Sequence, residues 1–175
     1  MTHHPHASDD PPGALKALAT AEPADLRKLL LEICASPQWA AAVAATRPWP
    51  DRAALLAANA AALATLSTAD LTQALAGHAR IGRPTPGNAA SEREQAGIRG
   101  ADRAVLDELD RANAAYEAKF GHVFLICATD RTAEAVLAAL RERHPNTAAT
   151  EAEIVRRELR RINDIRLSRL LDEAL

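Results

Sequence analysis

His122-Val123-Phe124-Leu125-Ile126-Cys127-Ala128 is the stretch on which the fold class turns. It is the one run in the chain with the short, continuous, apolar character of a buried strand. A strand needs partners, because an unpaired one leaves its backbone N–H and C=O groups unsatisfied. No second run of this kind is found on either side. We therefore read it as an extended buried segment, or as the start of the next helix, and not as part of a sheet. The fold class that follows is all-α: a single-domain multi-helix bundle.

The flanks support this reading. Before the run, Ala101 to Lys119 has helical periodicity, with Val105, Leu106, Leu109 and Tyr116 as core candidates and Gly121 ending it. After the run, Thr129 or Asp130 is positioned to cap a helix through Arg143, which His144-Pro145-Asn146 stops. Thr147 or Thr150 then caps a final helix. At about 100° per residue, Val155, Leu159, Ile162, Arg166 and Leu170 project within one narrow arc of that helix. Arg166 thus interrupts an apolar stripe. A guanidinium there either snorkels to water or meets an anion.

Further upstream, GHARIGRPTPGNAASEREQAG (Gly77–Gly97) holds most of the chemistry-bearing residues. Leu71 and Leu75 mark the buried side of a helix opened by Ser67, with Asp70 in its first turn. Gly77 ends that helix, and His78 continues its buried side at the C-terminal end of the dipole. Pro84, Pro86, Gly82 and Gly87 make Arg80 to Ala90 a loop able to wrap over an interhelical pocket. Ser91 opens the next helix, and Ser91-x-x-Glu94 has the spacing of a capping box. Nearer the N-terminus we expect helices from Pro23 to Ala35 (Leu26, Leu29, Leu30 and Ile33 inward), from Trp39 to Arg47, and from Asp51 to Leu66 (Leu55, Leu56 and Leu63 inward). The rigid Arg47-Pro48-Trp49-Pro50 connector separates the last two. Residues 1–12 are expected to be a disordered tail, and 13–175 one domain. His3, His4 and His6 have no carboxylate or thiol partner at metal-ligand spacing.

Composition narrows the function classes. The 175 residues carry 21 Lys and Arg against 23 Asp and Glu, a net charge of −2 that offers no footprint for nucleic acid or an anionic membrane. No apolar run approaches the roughly 20 residues that span a bilayer. Cys34 and Cys127 are too far apart for a CxxC pair and lie in apolar surroundings, as expected of free thiols in a cytoplasmic protein. His78, Glu94, Gln95 and Arg166 could form one polar pocket offering an acid/base, a carboxylate and an anion clamp. There is no nucleophile–histidine pair, no metal cluster and no phosphate-binding loop. The residues alone leave two classes open: a cofactor-free acid/base enzyme, or a helical interaction module in which these side chains are scattered.

The segments WAAAVAATRPWP, GHARIG, SEREQAG, YEAKFGHVFLICATDRTAEAVLAALRERHPN and RRINDIRLSRLL together resemble the OHCU decarboxylases of purine catabolism, OHCU being 2-oxo-4-hydroxy-4-carboxy-5-ureidoimidazoline. The resemblance implies an all-α, commonly homodimeric, cytoplasmic enzyme. It would use no cofactor and no metal, and would decarboxylate OHCU to S-allantoin in urate breakdown. It implies His78 and Glu94 as catalytic residues, and Ser91, Gln95, Arg166 and the Phe124–Ile126 backbone as substrate contacts. The family usually has proline after the histidine, where this chain has Ala79. A decarboxylase or lyase of another ureido acid is the neighbouring alternative.

Overall fold

The computed structural model describes residues 12–173. Among these there are nine α-helices, a single 3-10 turn at Ala96–Ile98, and no strand. The fold is all-α, and the His122–Ala128 run neither joins a sheet nor begins a helix. The chain groups into two compact units: the part up to Thr65 together with the chain from Asn163 onward, and Leu66–Ile162.

The first unit contains α1 (Pro12–Thr20), α2 (Pro23–Ile33), α3 (Pro37–Ala44), α4 (Arg52–Ala64) and the last turns of α9 (Ala148–Glu173). Its helices start where local chemistry dictates. Proline opens α2 and α3, where its missing N–H costs nothing. Ser36 accepts a hydrogen bond from the Trp39 amide, and Asp51 from that of Ala54. Leu26, Leu30, Trp39, Val43 and Leu55 are fully buried. The Trp39 indole donates to Asn59 Oδ1 at 2.9 Å, and the Asn163 amide donates to the same oxygen at 3.2 Å. Asn59 in turn donates to Asp164 at 2.8 Å, so a polar chain threads this core.

Helix α1 precedes the first helix expected from the sequence, at Pro23. Its apolar face is only Ala14, Leu15 and Leu18, too short a period to detect beside Pro11 and Pro12. The expected tail over 1–12 lies, apart from Pro12, outside the described residues.

The second unit contains α5 (Thr68–Ala76), α6 (Ala89–Glu94), the 3-10 turn, α7 (Arg103–Phe120), the extended run, α8 (Ala133–Arg143) and the first turns of α9. Ser67 and Asp70 form a complete capping box on α5. Helices α7 and α8 pack together around Leu109, Tyr116, Phe124, Ile126, Val136 and Leu140. Val105 and Leu106 sit at the edge of this cluster, only partly buried. In α9 the buried apolar positions are Val155, Leu159, Ile162, Leu167 and Leu171, so the stripe advances by one residue in the last turns and Leu170 is only half-buried. No single helix among the described residues is long and apolar enough to cross a membrane.

Candidate active site

His78 follows Gly77, the C-cap of α5, and its amide donates to the Leu75 carbonyl at 3.0 Å. Gly77 ends the helix at φ −80°, without the left-handed turn that usually brings a glycine there. His78 is half-buried at this position.

Immediately after it the chain is fastened at three consecutive residues. Arg80 makes a two-point contact with Glu117, Nε to Oε1 at 2.8 Å and Nη2 to Oε2 at 2.5 Å. The Ile81 carbonyl accepts from the fully buried Asn113 at 3.0 Å, and the Gly82 amide donates to Gln95 Oε1 at 2.8 Å. Gln95 Nε2 returns to the Arg80 carbonyl at 3.4 Å. Arg83 pairs with Asp110 beyond the pin. The start of the Pro/Gly loop is therefore rigidly placed relative to α7.

Asn88, not Ser91, caps α6: its side chain accepts from the Ser91 amide at 2.9 Å. Ser91 is buried inside the first turn, and its hydroxyl accepts from the Thr85 amide at 3.1 Å. The Ser91-x-x-Glu94 spacing is thus not a capping box, because the helix starts three residues earlier than the motif implies. Glu94 closes α6 half-buried. Its charge is felt at the Cys127 thiol. Burial first pushes that thiol up. Hydrogen bonds from Thr129 oppose the shift, and the Glu158 and Glu94 carboxylates add to it.

Gly97 brings the segment after α6 against the turn that follows the run. A Cβ placed on it would lie 2.2 Å from the Arg131 carbonyl oxygen, so only glycine lets the 3-10 turn pass against the turn that ends the run. That turn carries Asp130 at φ +61°, a left-handed conformation aspartate tolerates. The chain needs it before α8 can begin. The cap of α8 is therefore Thr132, which accepts from the Ala135 amide at 3.2 Å, and not Thr129 or Asp130.

The extended run has no strand partner among the described residues, and side chains from elsewhere in the unit hold part of its backbone. Arg143 donates to the Leu125 carbonyl at 2.8 Å, the Cys127 amide donates to Glu158 Oε2 at 3.0 Å, and Arg131 Nε donates to the Cys127 carbonyl at 3.0 Å. Phe124, Leu125 and Ile126 are buried, with the Arg143 guanidinium over the Phe124 ring at 4.4 Å. None of Asn113, Arg131, Arg143 or Glu158 was singled out from sequence. For Glu158 a signal existed: it falls about 40° from Ile162 on α9, beside the stripe that exposed Arg166 as an anomaly.

Arg166 belongs to the other unit. It is half-buried, and its Nη1 donates to the Ile33 carbonyl at 2.7 Å. Beside it, Cys34 is buried. Burial pushes its thiol up, against hydrogen bonds from Ser36 and Asn163 and the positive charge of Arg166. Both cysteines are free, Cys127 only half-buried. Among the described residues no group of three or more His, Cys, Asp or Glu side chains could hold a metal ion.

A family model described as OHCU decarboxylase matches residues 19–168. The chain belongs to the OHCU decarboxylase family. It is 29% identical over 148 residues to the uric acid degradation bifunctional protein TTL of Arabidopsis thaliana, covering 80% of this chain and 45% of that protein. It is 34% identical over 80 residues to the 2-oxo-4-hydroxy-4-carboxy-5-ureidoimidazoline decarboxylase of Amia calva, covering 46% of each. This OHCU decarboxylase family member thus spans about half the length of the curated relatives it matches. Among solved structures, an OHCU decarboxylase crystallised in the presence of (S)-allantoin aligns with a TM-score of 0.71 at 27% identity, over 81% of this chain and 96% of that one. An (S)-allantoin synthase aligns at 0.69 and 21% identity, over 89% of this chain and 53% of that one, and supports the fold.

Proposed function

We propose that this protein catalyses cofactor-independent decarboxylation of OHCU to S-allantoin in urate breakdown, as a single-domain, cytoplasmic homodimer. The observation that carries this reading is the family match across residues 19–168, supported by the fold-wide likeness to an OHCU decarboxylase.

The chemistry suits such residues because the substrate supplies its own electron sink. The C–CO₂ bond breaks, its electron pair delocalises into the neighbouring ring imine, and a proton then returns to the ring carbon. The protein has to hold the carboxylate, select a face and move protons. In this proposal His78 takes the proton of the substrate hydroxyl and helps protonate the carbon after CO₂ leaves, tasks suited to a pKa near neutrality. Glu94 accepts hydrogen bonds from ring or ureido N–H groups and favours the charged imidazole. Arg166 clamps an anionic oxygen through its planar fork. Ser91, Gln95 and the Phe124–Ile126 backbone complete the substrate contacts. Ser91 and Gln95 already hold the loop, so their substrate contacts would draw on remaining hydrogen-bonding capacity.

The test is an assay with freshly generated OHCU, following CO₂ release and the circular dichroism of the product. Acceleration over spontaneous decay with one enantiomer formed supports the proposal. A racemic product at the spontaneous rate refutes it.

A further inference from the structure

We infer that Glu158 is a positioning residue that fixes the backbone of Phe124–Cys127 as a site wall, through its hydrogen bond to the Cys127 amide. The inference deepens the proposed function and rests on that reading for its catalytic consequence.

A lone extended segment has no ladder to set its register, so each side-chain contact to its backbone does the work of a neighbouring strand. Here those contacts come from three places: Arg143 at Leu125, Glu158 at the Cys127 amide, and Arg131 at the Cys127 carbonyl. Among these, Glu158 supplies the acceptor. It is only 6% exposed, an unusual place for a helix carboxylate. Its second oxygen accepts from Arg161 Nη1 at 3.2 Å, one turn along α9, which supplies a partner for the charge. One oxygen thus joins α9 to the run, while the other is held within α9. That bond fixes the peptide that follows Ile126. Releasing it would let the Cys127 peptide rotate and carry Ile126 out of place. A charge-assisted bond to a backbone amide is also among the stronger ways to hold one peptide plane.

The experiment compares Glu158→Ala with Glu158→Gln in the full chain. Glutamine keeps an oxygen that can accept from the Cys127 amide, whereas alanine removes it. Native-state hydrogen exchange reads the Cys127 amide directly. Steady-state kinetics on OHCU read the consequence, and thermal melts read the fold. We expect the Cys127 amide to exchange at least about tenfold faster in Glu158→Ala, with KM raised several-fold and kcat changed less. Glu158→Gln should restore both readings towards wild type. A lower melting temperature with KM and Cys127 exchange unchanged would reduce Glu158 to a stabilising residue and overturn the inference. So would a glutamine variant as impaired as alanine. If the wild type itself fails to turn over OHCU, the proposed function falls. The exchange comparison then still decides whether Glu158 holds the segment.

Discussion

The Arg143 guanidinium donates to the Leu125 carbonyl at 2.8 Å while its other two nitrogens grip one oxygen of Glu151, Nε at 2.9 Å and Nη2 at 2.5 Å. That oxygen also receives the Tyr116 hydroxyl at 2.5 Å, and Asn146 donates to the second oxygen at 3.0 Å. Tyr116 and Glu151 are fully buried and Arg143 nearly so. A cation that anchors a lone extended segment is therefore itself anchored from α9.

Glu151→Ala should cost about 3–5 kcal/mol, the usual penalty for leaving one member of a buried pair uncompensated. Urea unfolding of variant and wild type measures it. The pH dependence has a defined sign. Burial alone would raise the Glu151 pKa, but the hydrogen bonds from Arg143, Tyr116 and Asn146 outweigh it and hold the carboxyl below its ordinary range. A depressed folded pKa contributes stability above the unfolded value, near 4.3, and loses it as pH falls through the folded one. The gap between wild type and Glu151→Gln should therefore be widest near neutrality and narrow in acid. A gap that stays constant down to acid pH would mean that this carboxyl is not charged in the native state.

Gly97→Ala should destabilise by about 1–3 kcal/mol, because its Cβ would meet the Arg131 carbonyl oxygen at 2.2 Å and backbone has to move. Gly87→Ala provides the control: nothing lies within 4 Å of a Cβ there, although its φ of +76° imposes a smaller local strain. If Gly97→Ala melts like wild type, the close passage between the 3-10 turn and Arg131 is not rigid.

The fold class was legible from sequence because helix signals are local. Asp51 and the Ser67–Asp70 capping box can be read from three or four neighbouring residues, and the structure contains both. The grip on the His122–Ala128 run was not legible. Arg143 lies 18 residues from Leu125 and Glu158 31 residues from Cys127, so no local pattern links them. On a sequence, Glu151 and Glu158 look like ordinary solvated helix charges. Their burial emerges only when their angular position beside Val155 and Ile162 is taken as seriously as that of Arg166. The Ser91 motif misled for the opposite reason: a correct local pattern lost to a competing cap, Asn88, three residues upstream.

His78→Ala should lower turnover about 10²–10⁴-fold while the melting temperature stays close to wild type, if the imidazole moves protons as proposed. The ring is half-buried at the end of α5, so its removal leaves no large cavity. Stopped-flow decay of OHCU, with circular dichroism for product handedness, separates the outcomes. Near-normal formation of S-allantoin would take His78 out of the mechanism.

Arg166→Lys distinguishes a substrate clamp from a backbone anchor. Arg166 already donates Nη1 to the Ile33 carbonyl at 2.7 Å, which occupies one arm of its fork. Lysine keeps the charge and can still reach a single carbonyl, but it cannot serve two acceptors in one plane. If the other arm receives the substrate, KM should rise at least about tenfold with stability nearly unchanged, since a charge-assisted hydrogen bond contributes about 1.5–3 kcal/mol. If the guanidinium serves only the end of α2, the variant should lose stability and bind OHCU as wild type does. Measuring KM and melting temperature on the same preparation separates the two, because each role moves a different quantity.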